Sequence, residues 1–598
     1  EGPTLRAPRA PERPVTETVH GVRITDPYRY LEDGKDPDTE RYLREQAAHA
    51  RAVLDALPGR EALKRRVHEL AADSVSVSVP QRGGGGDVFL RLDGGAEVQR
   101  LYRRDVTTGA ERLLLDPDTL RGEAHHATVD AFALSPDARH VALAIAREGS
   151  EDGILRILEV ATGRLLPDES RGVVPSSLTW LDDQHVGYRA RSAAWAPGKT
   201  EELWINMRFR SHPLGASGES DEVLLGPGVN PTLPGGVIRR LSIKAAPSSP
   251  LLLGVAYEGT RDDYALYTTP RSGFRAAAAR WTPLTTLDDR VRAYVLRGTD
   301  LYVLTRGGAP RGKVVRVDLT RPSFAGAEVV VPESDVILED LVGARDGLYV
   351  TGRFVTEGRL LRVPYGGGKP ATVAVPPQAT LLVGGSPEEN GVRALVDSWT
   401  APARVFALAA GSAPQVLPIA AGRAPVPLEA ELRWVTAKDG TRIPLSLVRA
   451  AGAPRDGKRP TLLETYASYG ISRLPRYTPL LPALAERGGV YAFCHARGGG
   501  ELGDAWRDAA FQATKSVSWR DTLACAEAMI ASGYTSPDYL VAGGASAGGI
   551  AAGNAVNERP DLFAAALFQV GLHNTVRLEQ GPVGRSNSQE FGSASTAE

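Results

Sequence analysis

The sequence predicts two architectures in one chain, a long β-rich region followed by a mostly parallel, doubly wound α/β unit. Three observations carry this. From about residue 428 to 598, apolar strand segments alternate with helical ones, the order that builds a βαβ sheet. From about 75 to 427, short strands of period two are broken by Gly, Pro, Asp and Asn, and helical spacing is almost absent. Residues 539–550 read as an apolar strand, a Gly-x-Ser-x-Gly turn and a small-residue helix.

Residues 1–74 begin extended and continue as two helices. Asp38 is placed to cap the first, which carries Tyr42, Leu43, Ala47, Val53 and Leu57. The second follows Pro58-Gly59 with Leu63, Val67 and Leu70 on one face. From about 75 to 427, seven similar units of three or four strands start near Asp87, Val129, Ser177, Leu241, Val291, Leu341 and Thr380. Their spacing of roughly 40–60 residues, without a Trp-Asp signature, fits a seven-bladed β-propeller or a series of β-sandwich modules. Beyond 428, segments 432–435 and 442–447 form a hairpin around Asp439-Gly440. Strands then fall at 461–466, 490–494, 539–542 and 563–570. Helices fall at 479–485, at 519–532 and after Ser546, the last stopping before Pro560.

A chain of 598 residues exceeds a single core. With 42% hydrophobic and 24% charged residues and a formal net charge of −1, it offers no electrostatic reason to expect nucleic acid or an anionic membrane as partner. No apolar run approaches the roughly 18 residues of a membrane helix. Cys494 and Cys525 are too few for a disulfide framework and lie in apolar segments, so buried free thiols are expected. The start at Glu1-Gly-Pro lacks methionine. A removed signal peptide would make the protein periplasmic or secreted; otherwise it is cytoplasmic.

The chemistry centres on Ser546. A strand, a sharp turn and a helix are the context in which an α/β-hydrolase presents a nucleophilic serine. Gly544 and Gly548 supply the small neighbours that such an elbow needs, because bulky side chains would clash where the chain reverses. Ser546 would stand at a helix N-terminus, and the Ala547 N–H is the natural first donor to a developing oxyanion. A serine N-cap in a Gly-rich turn is the bland alternative.

At these residues the chain resembles the prolyl oligopeptidase family of serine peptidases, including its oligopeptidase B branch. The resemblance is carried by Tyr466-Ala-Ser-Tyr-Gly-Ile-Ser472, His495-Ala-Arg-Gly-Gly-Gly-Glu-Leu-Gly-Asp-Ala-Trp506, Gly533-Tyr-Thr-Ser-Pro537, Gly544-Ala-Ser-Ala-Gly-Gly549 and Asn557-Glu-Arg-Pro-Asp-Leu-Phe563. Asp26-Pro-Tyr-Arg-Tyr-Leu-Glu-Asp33 adds to it near the N-terminus. It implies a seven-bladed propeller (75–427) between two pieces of one α/β-hydrolase domain (1–74 and 428–598). It places Tyr466 as the second oxyanion donor. It implies short peptides as substrates, with the propeller limiting access, and a monomer without metal or organic cofactor. The Arg497-Gly-Gly-Gly500 segment lacks the Lys-Ser/Thr of a phosphate loop and reads as a structural turn.

The pattern also departs from that family. Its catalytic Asp and His should follow Ser546, yet His573 is the only histidine after it and matches no motif. A C-terminal segment beyond Glu598 is therefore expected. Specificity is open: Asn587 stands where proline-specific members carry Trp, and Glu590 is the acidic residue left to hold a basic side chain. The reading is a serine oligopeptidase acting through an acyl-enzyme at Ser546. The alternatives are oligopeptidase B-like cleavage after basic residues, an esterase or peptide-cyclising acyl transferase, and a non-catalytic peptide-binding propeller.

Overall fold

The computed structural model describes residues 7–72, 75–122, 124–150, 152–192, 205–233, 235–259, 261–275, 279–419, 426–581 and 584–596. The chain start and the boundary near residue 74 lie outside them. Pro37–Asp55 and Arg60–Ala72 form the two N-terminal helices. The first is capped by Asp36 rather than Asp38: the Asp36 carboxylate accepts from the N–H groups of Asp38 and Thr39. Pro37 explains the shift, since its fixed φ and missing N–H suit the first helical position.

Between residues 76 and 417 the described strands group into seven blades. Blades two and three merge into one sheet through a single pair, Val173 with Ala190. Consecutive blades bury an apolar seam. Val88, Leu90 and Leu101 of the first meet Val141, Leu143 and Ile145 of the second. Equivalent clusters follow around the ring. The ring closes the same way, with Val77 and Phe89 of the first blade packed on Val405 of the last and Ile419 beyond it. Among the described residues no strand is exchanged between the first and last blades, so closure rests on this apolar burial together with side-chain ion pairs across the seam, Arg82 with Glu389 at 2.8 Å and Arg393 with Asp87 at 3.6 Å.

The α/β domain holds six described strands in the order Leu428–Thr436, Arg442–Ala450, Val490–Cys494, Thr461–Thr465, Leu540–Ala545 and Ala565–Gln569. The first three pair antiparallel and the rest parallel. Apolar clusters cover the sheet on both faces. One contains Leu463, Ala492, Leu523 and Leu540, and the other Val448, Tyr491 and Phe493 with Trp399 from the end of the propeller. The strand Ala565–Gln569 leaves Leu567 and Phe568 exposed.

A further expectation is corrected here. Cys494 and Cys525 are not free thiols: they form a disulfide joining the strand Val490–Cys494 to the helix Ser516–Ala531, with Cα atoms 6.1 Å apart. Separate apolar segments gave no hint that the fold aligns their Cβ atoms. Gly584–Phe591 is a helix, and His20 Nε2 meets the Ala594 carbonyl at 2.8 Å. Its inward positions include Asn587 and Glu590, so it lacks the apolar stripe by which helices are read.

Candidate active site

The strand Leu540–Ala545 ends at Ser546, and the helix Gly548–Glu558 begins two residues on. This reversal places Ser546 at φ +51°, a left-handed conformation that costs a non-glycine residue about 1–3 kcal/mol. Backbone bonds hold it there. Ser546 N–H donates to the Gln569 carbonyl at 2.9 Å, and the Ser546 carbonyl accepts from Gly549 and Leu572 at 3.0 Å each. The glycines leave no room for substitution. A Cβ on Gly544 would stand 2.4 Å from the Gly548 carbonyl oxygen, and one on Gly548 would stand 2.6 Å from that of Thr465.

Tyr466 follows the strand Thr461–Thr465, next to that of Ser546 in the sheet, and the Ser546 side chain lies beside its phenol. Burial pushes the phenol pKa up, so it stays a protonated donor at neutral pH. Ala547 is fully buried, and its N–H finds no acceptor among the described residues. Two donors thus converge beside Ser546.

Tyr469 supports them from below. It sits at φ +61°, its ring 6.3 Å from that of Tyr466 and edge-on to Phe591 at 5.5 Å. Its hydroxyl donates to Asn587 Oδ1 and its N–H to Glu590 Oε1, both at 2.8 Å. Glu590 is neither a solvated loop charge nor a free acceptor. It is 1% exposed, with Lys515 Nζ at 3.0 Å and Arg507 Nη2 at 3.4 Å. Sequence reasoning missed Tyr469, Arg507 and Lys515. Tyr469 lies inside the Tyr466–Ser472 motif, but nothing in that motif pairs it with residue 590. Arg497 fastens a structural turn: its N–H and guanidinium hold Asp521, and Nη1 reaches Asp439 at 2.6 Å. Gly498 and Gly500 let this turn pass against the Ala467 and Gly470 carbonyls.

No described histidine or carboxylate hydrogen-bonds Ser546. His573 lies edge-on to Phe568 at 4.9 Å and covers Gly549 and Gly571. His495 is fully buried between Ser446, 2.8 Å away, and Glu501, 3.2 Å away. His212, in the propeller, is fully buried between Asp168 and Asp221. Among the described residues no group of three or more His, Cys, Asp or Glu is arranged to hold a metal, and no helix is long and apolar enough to cross a membrane.

The family description "Prolyl oligopeptidase, N-terminal beta-propeller domain" matches residues 8–415, and "Prolyl oligopeptidase family" matches 476–594. The chain belongs to the prolyl oligopeptidase family. Prolyl endopeptidase of Elizabethkingia meningoseptica is 25% identical across 99% of this chain and 82% of its own length. Protease 2 of Moraxella lacunata is 25% identical across 94% of this chain and 80% of its own. A solved prolyl endopeptidase superposes with a TM-score of 0.88 at 28% identity, covering 99% of this chain and 86% of that one. A prolyl oligopeptidase B structure from Galerina marginata shares the fold, with a TM-score of 0.85 at 18% identity. This prolyl oligopeptidase-family chain is therefore a serine peptidase by descent, with peptides as its substrate class.

Proposed function

We propose that this peptidase cleaves short peptides through an acyl-enzyme on Ser546. The observation that supports it is the junction itself: a strained serine at a strand–helix turn, beside the Tyr466 phenol and adjoining the unoccupied Ala547 N–H. In this reading Ser546 Oγ attacks the scissile carbonyl. The Tyr466 O–H and Ala547 N–H stabilise the oxyanion, and collapse expels the amine to leave an ester that water hydrolyses. The family resemblance assigns proton transfer to a His–Asp pair later in the chain than Ser546. The propeller limits access to short, unfolded peptides. Neutralisation of Glu590 by Lys515 and Arg507 disfavours it as a receptor for a basic side chain. The Cys494–Cys525 disulfide favours an oxidising, extracytoplasmic compartment.

A fluorophosphonate probe tests this. Peptide mapping should place the label on Ser546, and Ser546→Ala should abolish both labelling and peptide turnover. Labelling at another serine in the wild type sinks the assignment.

A further inference from the structure

Between the propeller and the hydrolase domain lies a cavity of about 320 Å³ that the proposed chemistry does not use. Arg261, Asp263 and Arg290 of the propeller line one side, and Arg507, Phe511 and Gln589 of the hydrolase domain the other. A short relay of contacts links its wall to the Ser546 site. Tyr469, which stacks near Tyr466, donates its N–H to Glu590, and Glu590 meets Arg507.

The cations around this space are incompletely answered. Asp504, 2% exposed, is shared by three guanidinium groups, Arg290 at 2.8 Å, Arg292 at 3.2 Å and Arg306; Arg292 also meets Asp262 at 3.0 Å and Asp263 at 3.3 Å. Arg507 has only long contacts, 3.4 Å to Glu590 and 3.8 Å to Asp508, and its Nε has no hydrogen-bond partner. Arg261 has Asp263 at 3.1 Å. Crowding of like charge agrees with this. Burial first, and Arg292 after it, push the Arg306 guanidinium down; burial chiefly, with Arg507 opposing Glu590, does the same to Lys515. The Arg507 guanidinium lies over the Phe511 ring, 4.6 Å from its centre. Gln589 Oε1 is buried without a hydrogen-bond donor. Guanidinium forks facing one space, with a free carbonyl acceptor beside them, match a carboxylate attached to a peptide N–H.

We infer that this cavity binds a carboxylate of the peptide substrate, held by Arg261, Arg290 and Arg507, with a neighbouring substrate N–H on Gln589. This rests on the peptidase reading above. The carboxylate is an Asp or Glu side chain or the free C-terminus. The site makes the enzyme selective for acidic or C-terminally free peptides at a distance from the scissile bond.

The test uses short fluorescein-labelled peptides carrying Glu or Gln at each position in turn, each with a free or an amidated C-terminus. Binding is read by anisotropy, which needs no turnover, and cleavage by kcat and KM. The acidic peptide should bind roughly ten- to a hundredfold more tightly than its neutral twin, with the difference in KM rather than kcat. The preference should shrink at high salt and vanish in Arg261→Met, whose side chain is a third exposed and has one ionic partner. A preference that follows Glu identifies the side chain, and one that follows the free terminus identifies the α-carboxylate; either supports the site. Equal binding of acidic and neutral peptides, or a preference unchanged in Arg261→Met, overturns it. If acidic peptides bind selectively but none is cleaved, the Ser546 reading falls and this site stands.

Discussion

At Tyr466 a single hydroxyl separates two roles. A phenol that only fills space beside Ser546 could lose its oxygen at small cost, whereas an oxyanion donor could not. Tyr466→Phe should therefore lower kcat by about a hundred- to a thousandfold, the 2.7–4 kcal/mol typical of one lost oxyanion donor, with thermal stability nearly unchanged. Equal kcat values for variant and wild type would return Tyr466 to the core. His212 is the other residue whose protonation decides something. Burial alone would lower its pKa, but Asp168 and Asp221 outweigh burial and hold it at about 9. Because the folded value lies above the unfolded 6.5, the stabilisation is complete below about pH 6.5 and is lost as pH rises through about 9. The shift corresponds to on the order of 3 kcal/mol. Urea midpoints should fall across that window in the wild type and stay flatter in His212→Gln. Parallel pH profiles would show that the imidazole is not charged. Ser170 completes a Ser–His–Asp look-alike there, but with Ser170, His212 and Asp168 all buried, no substrate reaches it.

Among the elements, the helix Ser516–Ala531 is fastened twice to the strand Val490–Cys494 and the turn after it, once by Cys525–Cys494 and once by Asp521–Arg497. Opening the disulfide frees a loop spanning a sequence separation of 31. The chain-entropy estimate for such a loop is about 3–4 kcal/mol. Denatured, unreduced protein should take up no iodoacetamide, and the double variant Cys494→Ala, Cys525→Ala should melt at lower temperature. Two alkylated thiols without reductant would disprove the bridge. This bridge also shows which local signals were readable. The Ser546 elbow was legible because strain, glycines and flanking periodicity all lie within a dozen residues. The blades were legible as a count because each repeats strand and turn chemistry locally. The disulfide, the support of Tyr469 by Asn587 and Glu590, and the three arginines on Asp504 each join residues far apart in sequence, by contacts that leave no periodic trace.

Over the whole molecule, the two domains meet through few but deeply buried groups. Arg353 of the propeller is 2% exposed and donates to the Glu501 carbonyl and Ser472 Oγ at 2.7 Å each, and to the Gly500 carbonyl. It thereby braces the turn that packs against Ala467 and Gly470, directly behind Tyr466. Asp504 is the reciprocal anchor, a hydrolase carboxylate among Arg290, Arg292 and Arg306. Thr380 adds a 2.8 Å bond to the Pro475 carbonyl, and Asp397 accepts from Tyr477 N–H at 3.0 Å. With so few anchors, removing one charge should separate the domains' unfolding. Asp504→Asn leaves the Arg290, Arg292 and Arg306 guanidinium groups facing a neutral amide, with Arg292 still paired to Asp262 and Asp263 and Arg306 the most deeply stranded. Stranding a buried charge costs about 3–5 kcal/mol, and here three cations also repel one another. The variant should melt in two calorimetric transitions where the wild type melts in one. At intermediate temperature its radius of gyration in small-angle scattering should be larger than that of the wild type, as the propeller swings from the hydrolase face. Added salt should partly restore the single transition by screening the arginines. A single, unshifted transition in Asp504→Asn would mean that Arg353 and the apolar contacts at Trp399 hold the domains without Asp504, and the electrostatic account of the interface would be wrong.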